Sequence, residues 1–291
     1  MKNTTSYIKY KKCSVHFLLS MYLKHRDWIS VLSKNKTLKN IHNGERCFIL
    51  GNGPSLKTED LKTLENEFVF SVNQISRHQD FEYIKPTYHF WADANFFDID
   101  ENNPEDLDLL EVMKKIKTTD NSPLCFFPIQ QKAFIEKFEL DKELRIAYFS
   151  SGMYFYDGFD GEIDYTKFVL GFGTVVQWCI TMAIYMGFSE IYLLGCDNTG
   201  LLTTIKSALK SNDDNDYAYK VTENEKKRME SLLEKQSLES YVNAYLETLR
   251  GYRYLFQYCE KRGIKLVNCS SSTVIDSIPR DTLTNVLKKE K

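Results

Sequence analysis

Proline (6) and glycine (13) are scarce in this chain of 291 residues, while tyrosine (18) and phenylalanine (19) are plentiful. That balance excludes a low-complexity chain and points to a compact one, and no internal repeat is evident. The seven cysteines are scattered, with no CxxC pair and no Cys/His cluster, which leaves no sign of a zinc site or a disulfide framework. Cys47, Cys179 and Cys196 lie in apolar runs as small core residues, and free thiols fit a reducing cytoplasm. Long apolar runs are absent as well. Val15 to Leu23 is too short to span a bilayer and has no small-residue cleavage site after it.

Charge is unevenly placed. Residues 1 to 40 hold nine basic residues against the single acid Asp27, a balance of +8, so with a chain total of −2 the other 251 residues carry −10. A basic start suits an anionic membrane surface or a polyanionic partner. With Phe17, Leu18, Tyr22 and Trp28 flanked by Lys and Arg26, residues 1–44 read as a helical extension. It would lie peripherally on the inner face of the membrane, or pack on the domain or on another subunit in a homo-oligomer. A net basic balance confined to one end, without a reading motif, argues against a nucleic-acid partner.

What is present is an alternation of strands and helices from residue 45 to 280. It predicts a single Rossmann-like α/β domain with a mostly parallel open sheet flanked by helices, followed by a charged tail at 281–291. Cys47 to Leu50 is a short apolar strand that ends in Gly51-Asn52-Gly53-Pro54-Ser55. Two glycines there permit positive φ and leave room for a close ligand. A helix opening at Pro54 and running to Glu65 would aim its amides at a phosphate. The same residues also make an ordinary turn. Phe68 to Asn73 is the next strand, and its end, Asn73 with Gln74, falls beside that turn, where it either bonds a nucleotide or caps a helix. Pro86 leads a third strand ending at Asp93. Short strands follow at Leu124 to Pro128 and Arg145 to Phe149, then a loop from Ser150 to Phe172.

Thr174 opens a buried helix to Met186, closed by Gly187. Glu190 to Leu194 is a second central strand, and it finishes in Gly195-Cys196-Asp197. Residues 198–240 are polar and read as a lid over the site, with Glu223 to Arg228 as solvated surface. A helix from Tyr241 to Arg262 and a last strand, Ile264 to Ser270, complete the order.

These blocks, in this order over residues 45 to 280, resemble bacterial surface-polysaccharide proteins that carry a domain named after an archaeal hydroxymethylpterin pyrophosphokinase (domain of unknown function 115). The layout is also similar to the sialyltransferases of Campylobacter and Haemophilus lipooligosaccharide synthesis. That resemblance implies a glycosyltransferase of surface-glycan assembly, with a CMP-sugar donor and a glycan or lipid-linked acceptor. Gly51, Asn52, Gly53, Pro54 and Ser55 would then hold the donor phosphate and ribose, with Asn73 on the nucleotide, Thr174 near the sugar, and Gly195 and Asp197 at the same rim. Lid tyrosines, here Tyr217 and Tyr219, would bond the leaving phosphate, and neutral donors of this kind require no metal. Those enzymes use a lid histidine as base, yet no histidine lies beyond residue 89 here. Asp93 is the substitute read from the sequence, with His89 second. The domain's name implies instead Mg²⁺-dependent pyrophosphoryl transfer from ATP, with carboxylates such as Asp93, Asp197, Asp98 and Asp100 on the metal. A non-catalytic nucleotide-binding protein is the third reading.

Overall fold

The computed structural model describes residues 26–117, 122–208, 218–234 and 237–288. Its centre is a seven-stranded, all-parallel sheet in the order β5-β4-β3-β2-β1-β8-β9. The strands are β1 (Arg46–Leu50), β2 (Phe68–Val72), β3 (Tyr88–Phe90), β4 (Leu124–Pro128), β5 (Arg145–Phe149), β8 (Glu190–Leu194) and β9 (Lys265–Asn268). The larger helices are α1 (Arg26–Ser33), α2 (Pro104–Lys114), α3 (Val175–Met186), α4 (Gly200–Ala208), α5 (Glu223–Glu234), α6 (Leu238–Lys261) and α7 (Leu283–Lys288).

Strand side chains alternate between the two faces of the sheet, and each face has its own apolar cluster. Cys47, Ile49, Phe70, Ile191 and Leu193 join one cluster with α3 and α6. Phe48, Leu50, Val69, Tyr192 and Leu194 join the other with α2 and α7. Because both faces are covered, β1 and β8 are continuous apolar runs without a polar face. The chain steps from β1 outward through β2 to β5 on one side, whereas β8 steps to β9 on the other. The sheet therefore changes direction between β1 and β8, and a crevice opens at their carboxyl ends.

Several elements differ from the sequence reading. Pro54 to Glu65 is not one helix but two 3₁₀ turns, Pro54–Thr58 and Leu61–Leu64. Glu59 between them is extended and Asp60 caps Lys62, while Leu56, Leu61 and Leu64 are still buried. The Ser150 to Phe172 stretch holds a parallel pair, β6 (Ser151–Tyr154) and β7 (Val169–Gly171), too short to show a period-two pattern.

The presumed charged tail contributes α7, which buries Leu283 and Val286. Residues 35–44 are tied into the body rather than set apart: the buried Asn35 amide donates to Tyr148 O and Tyr165 O, and Asn40 and His42 amides donate to Tyr185 O and Met186 O. Residues 1–25, most of the proposed membrane-contacting segment, lie outside the described residues. Among the described residues no helix is long and apolar enough to cross a membrane.

Candidate active site

A cleft of about 410 Å³ occupies the crevice between β1 and β8, within the size range of small-molecule sites. Its floor is made by the turns that end these two strands. The Gly51 amide donates to Leu194 O and the Gly53 amide to Gly195 O, both at 2.8 Å, extending the strand pairing into the turns. The buried carboxylate of Asp197 then accepts the Ser55 amide at 2.8 Å and the Ser55 hydroxyl. Burial raises the Asp197 pKa above the usual carboxylate value, although the Ser55 bonds oppose that shift.

This geometry explains the glycines differently from the sequence reading. Positive φ occurs at Gly195, not at Gly51 or Gly53. A Cβ at Gly51 would lie 2.4 Å from Gly195 O, and one at Gly53 would lie 2.5 Å from Asp197 Cγ. The glycines allow one turn to press on the other. The Gly51, Gly53 and Ser55 amides are thereby satisfied within the protein.

Three side-chain amides belong to residues that line the cleft. Asn52 donates from Nδ2 to Val72 O, while its Oδ1 is buried without a partner among the described residues. Asn73 Oδ1 and Asn198 Nδ2 are buried and unpartnered in the same way. Asn73 and Asn198 both sit at positive φ, +49° and +55°, a conformation asparagine tolerates at some cost. Buried amide atoms without partners are expensive, and backbone strain collects at functional sites. All three asparagines line one cleft.

The sequence-predicted residues divide cleanly. Gly51, Asn52, Gly53, Asn73, Asp93, Thr174, Gly195 and Tyr219 line the cleft. Pro54 is not part of the lining, and Ser55 and Asp197 sit behind it, bonded to each other. Thr174 precedes α3 and shares a hydrogen bond with the buried Tyr252. α6 crosses α3 closely, with Gly251 against the Gln177 side chain and the Gln177 amide donating to Thr248 O at 2.8 Å. That crossing brings Tyr241 and Tyr252 to the cleft. Tyr217 lies outside the described residues. Tyr219 is buried, beside Ala218, whose amide donates to Asn52 O at 3.0 Å and pins this segment onto the glycine turn.

Asp93 is exposed and caps the next 3₁₀ turn through the Asn95 amide. It lacks the partial burial expected of it. His89 is fully buried against Trp91 and bonded to Ser71, away from the lining, and burial lowers its pKa to about 3. It stays neutral and out of reach of the cleft.

Glu223 to Arg228, read as solvated surface, is corrected in part. Glu225 is 5% exposed and faces the cleft from α5. Its Oε1 accepts the Gln74 amide at 2.6 Å, Arg77 donates to Gln74 Oε1 at 2.8 Å, and Arg77 is paired with Asp108 at 2.5 Å. Desolvation raises the Glu225 pKa, with Gln74, Arg228 and Arg77 pulling the other way. Arg228, one turn on, lies over the Phe96 ring, pairs with Asp106 at 3.5 Å and also lines the cleft. The inward residues 225 and 228 share the i, i+3 spacing of one helix face, but the surrounding charge conceals it. Among the described residues no three His, Cys, Asp or Glu side chains gather as a metal site.

A parallel sheet with a polar cleft at its point of reversal defines an open α/β fold with a candidate small-molecule site. The family model described as MptE-like, 6-hydroxymethylpterin diphosphokinase MptE-like, matches residues 21–199, and the chain belongs to this family. Among solved structures it is similar to the sialyltransferase CstII from Campylobacter jejuni, solved with the substrate analogue cytidine-5'-monophosphate. The identity is 20% over 82% of this chain and 85% of that one, with a TM-score of 0.41. It is also similar to the MAf glycosyltransferase from Magnetospirillum magneticum AMB-1, 16% identical over 87% of this chain and 38% of that one, with a TM-score of 0.46. No curated protein matches the chain.

Proposed function

We propose that the protein is a glycosyltransferase of surface-glycan assembly that takes a nucleotide sugar, a CMP-sialic-acid-like donor first, and inverts the anomeric centre by direct displacement. The observation that carries this reading is the set of unpartnered amides of Asn52, Asn73 and Asn198 around one cleft. Carboxamide side chains, which both donate and accept, suit the base and ribose edges of a nucleoside once they turn toward it. Tyr219 and Tyr241 in the lining are neutral hydroxyls fitted to a single leaving phosphate, whose charge rises in the transition state. The acceptor is a glycan or lipid-linked hydroxyl, and residues 1–25 supply the contact with an anionic membrane.

The family's name supports a second reading, Mg²⁺-dependent pyrophosphoryl transfer from ATP to a hydroxymethylpterin-like alcohol. A triphosphate calls for a run of amides and a lysine or metal clamp. Here the Gly51, Gly53 and Ser55 amides are occupied, and Arg228 is the cation among the described lining residues, so the single-phosphate donor fits better. Thermal stabilisation by CMP, UDP, GDP and ATP, each with and without Mg²⁺, separates the two. CMP should raise Tm without metal. A shift produced by ATP with Mg²⁺ alone would refute the glycosyltransferase reading, and nucleotide binding with no transfer would leave a non-catalytic binder.

A further inference from the structure

We propose that Glu225, on the lid helix α5, is the general base that takes the proton of the acceptor hydroxyl. This rests on the glycosyltransferase reading above. Glu225 is buried but opens into the cleft, and the bonds around it leave its carboxylate held at one end. Oε1 accepts from Gln74 Nε2 at 2.6 Å; Gln74 is itself held through Oε1 by Arg77 Nε at 2.8 Å. Arg77 donates to Asp108 at 2.5 Å, Thr222 bonds the same Asp108 oxygen at 3.4 Å, and the Glu225 amide closes the ring by donating to Thr222 Oγ1 at 3.2 Å.

The ring fixes the carboxylate through one oxygen and leaves Oε2 for a substrate proton. Arg77 polarises the Gln74 amide, so Gln74 passes a cation's influence to Glu225 without forming an ion pair that would extinguish its basicity. The charged groups that face Glu225 are Arg77 from the segment after β2, Asp108 from α2 and Arg228 from its own helix. Their opposing effects leave desolvation as the dominant influence on the carboxyl, which holds its proton more tightly than an exposed glutamate and so becomes a stronger base.

In the step itself the acceptor oxygen attacks the anomeric carbon as its proton passes to Glu225 Oε2. The bond from that carbon to the phosphate oxygen breaks, and the nucleoside monophosphate leaves with the electron pair. Gln74 is a positioning residue in this scheme. Asp93, exposed and engaged as a cap, is not needed.

The test compares wild type, Glu225→Gln and Glu225→Asp in transfer from CMP-sialic acid to a lactoside, with CMP-induced thermal shift measured beside it. Glu225→Gln can still accept the Gln74 bond, so the fold and the CMP shift are retained while kcat falls on the order of 10²- to 10⁴-fold. Glu225→Asp recovers part of that loss and displaces the acid limb of the pH–rate profile. Azide offered as acceptor has no proton to give up, so the Glu225→Gln variant forms glycosyl azide at close to the wild-type rate. A Gln74→Leu variant raises the pH at which the acid limb falls, because the carboxylate loses its donor. Wild-type transfer together with an unchanged kcat and pH profile in Glu225→Gln overturns the assignment of the base. Absence of transfer by the wild type, across CMP, UDP and GDP sugars, overturns the glycosyltransferase reading on which it depends.

Discussion

Replacing Gly51 by alanine decides what the glycine turn is for. If the glycines keep the floor open for a ligand, Gly51→Ala costs binding and leaves stability alone. The structure requires the opposite order of effects. The new Cβ would stand 2.4 Å from Gly195 O, 3.0 Å from Gly195 C and 3.2 Å from Cys196 Sγ. The nearest of these atoms are backbone and cannot swing away. Relief comes only by parting the turns after β1 and β8, which strains the 2.8 Å bonds from Gly51 to Leu194 and from Gly53 to Gly195. Overpacking costs about 1–3 kcal/mol and each weakened hydrogen bond about 1 kcal/mol, for a sum of about 3–5 kcal/mol. In a chain of this length that lowers Tm on the order of 10 °C. Gly263→Ala is the comparison: its φ is +68° with nothing near the added carbon, so strain of about 1–2 kcal/mol is the whole cost. Calorimetric melts with and without CMP give the answer. A Gly51→Ala protein that melts no lower than Gly263→Ala, yet has lost its CMP shift, would refute the packing account.

Three further outcomes follow from buried groups. Asp197→Ala strands the Ser55 amide and hydroxyl and should cost about 2–4 kcal/mol in urea melts; in Asp197→Asn the serine hydroxyl can turn to accept, so stability should stay near wild type at neutral pH. The native Asp197 pKa is raised, so the wild type loses this residue's contribution as pH rises from the carboxylate range upward, and the Asn variant should lack that slope. His89, with a native pKa near 3 against 6.5 unfolded, acts in the other direction. The unfolded chain takes up a proton that the native state refuses as pH falls below 6.5, so stability declines by up to about 1.4 kcal/mol per pH unit toward pH 3; a wild-type minus His89→Gln difference that is flat over that window would contradict the assignment. Tyr219→Phe should lower kcat roughly a hundred-fold with the CMP thermal shift retained, and equal turnover would remove Tyr219 from leaving-phosphate stabilisation.

The sheet was legible because its strands are buried on both faces and therefore spell continuous apolar runs, as in Phe48-Ile49-Leu50 and Ile191-Tyr192-Leu193-Leu194. The long helices were legible from their length and ends, with Gly187 closing α3 in the left-handed conformation. The convergence of Gly51, Asn73 and Gly195 on one rim followed from their places at strand ends. The Gly-Asn-Gly-Pro-Ser block stayed ambiguous, because a glycine spared for another backbone and one spared for a ligand look identical in sequence. Only the 2.4 Å approach to Gly195 O separates them.

The segment between β8 and α6 is where sequence reasoning had least to work with, and the cause is physical. Glu225 stands among Glu223, Lys226 and Lys227, which are at least partly exposed, and nothing local marks it for burial. Its environment is supplied by Gln74 from beyond β2, with Asp108 from α2 holding Arg77, residues over a hundred positions away. A carboxylate that is buried by distant partners keeps the composition of a surface residue while acquiring the chemistry of an interior one. Asp93 presents the reverse case: an acid at the expected rim but three residues beyond the end of β3, exposed and committed to a cap. Position along the sheet can therefore locate the rim of an α/β site, but the acid proposed here to accept a proton is set apart by desolvation, which the packing of α5 provides.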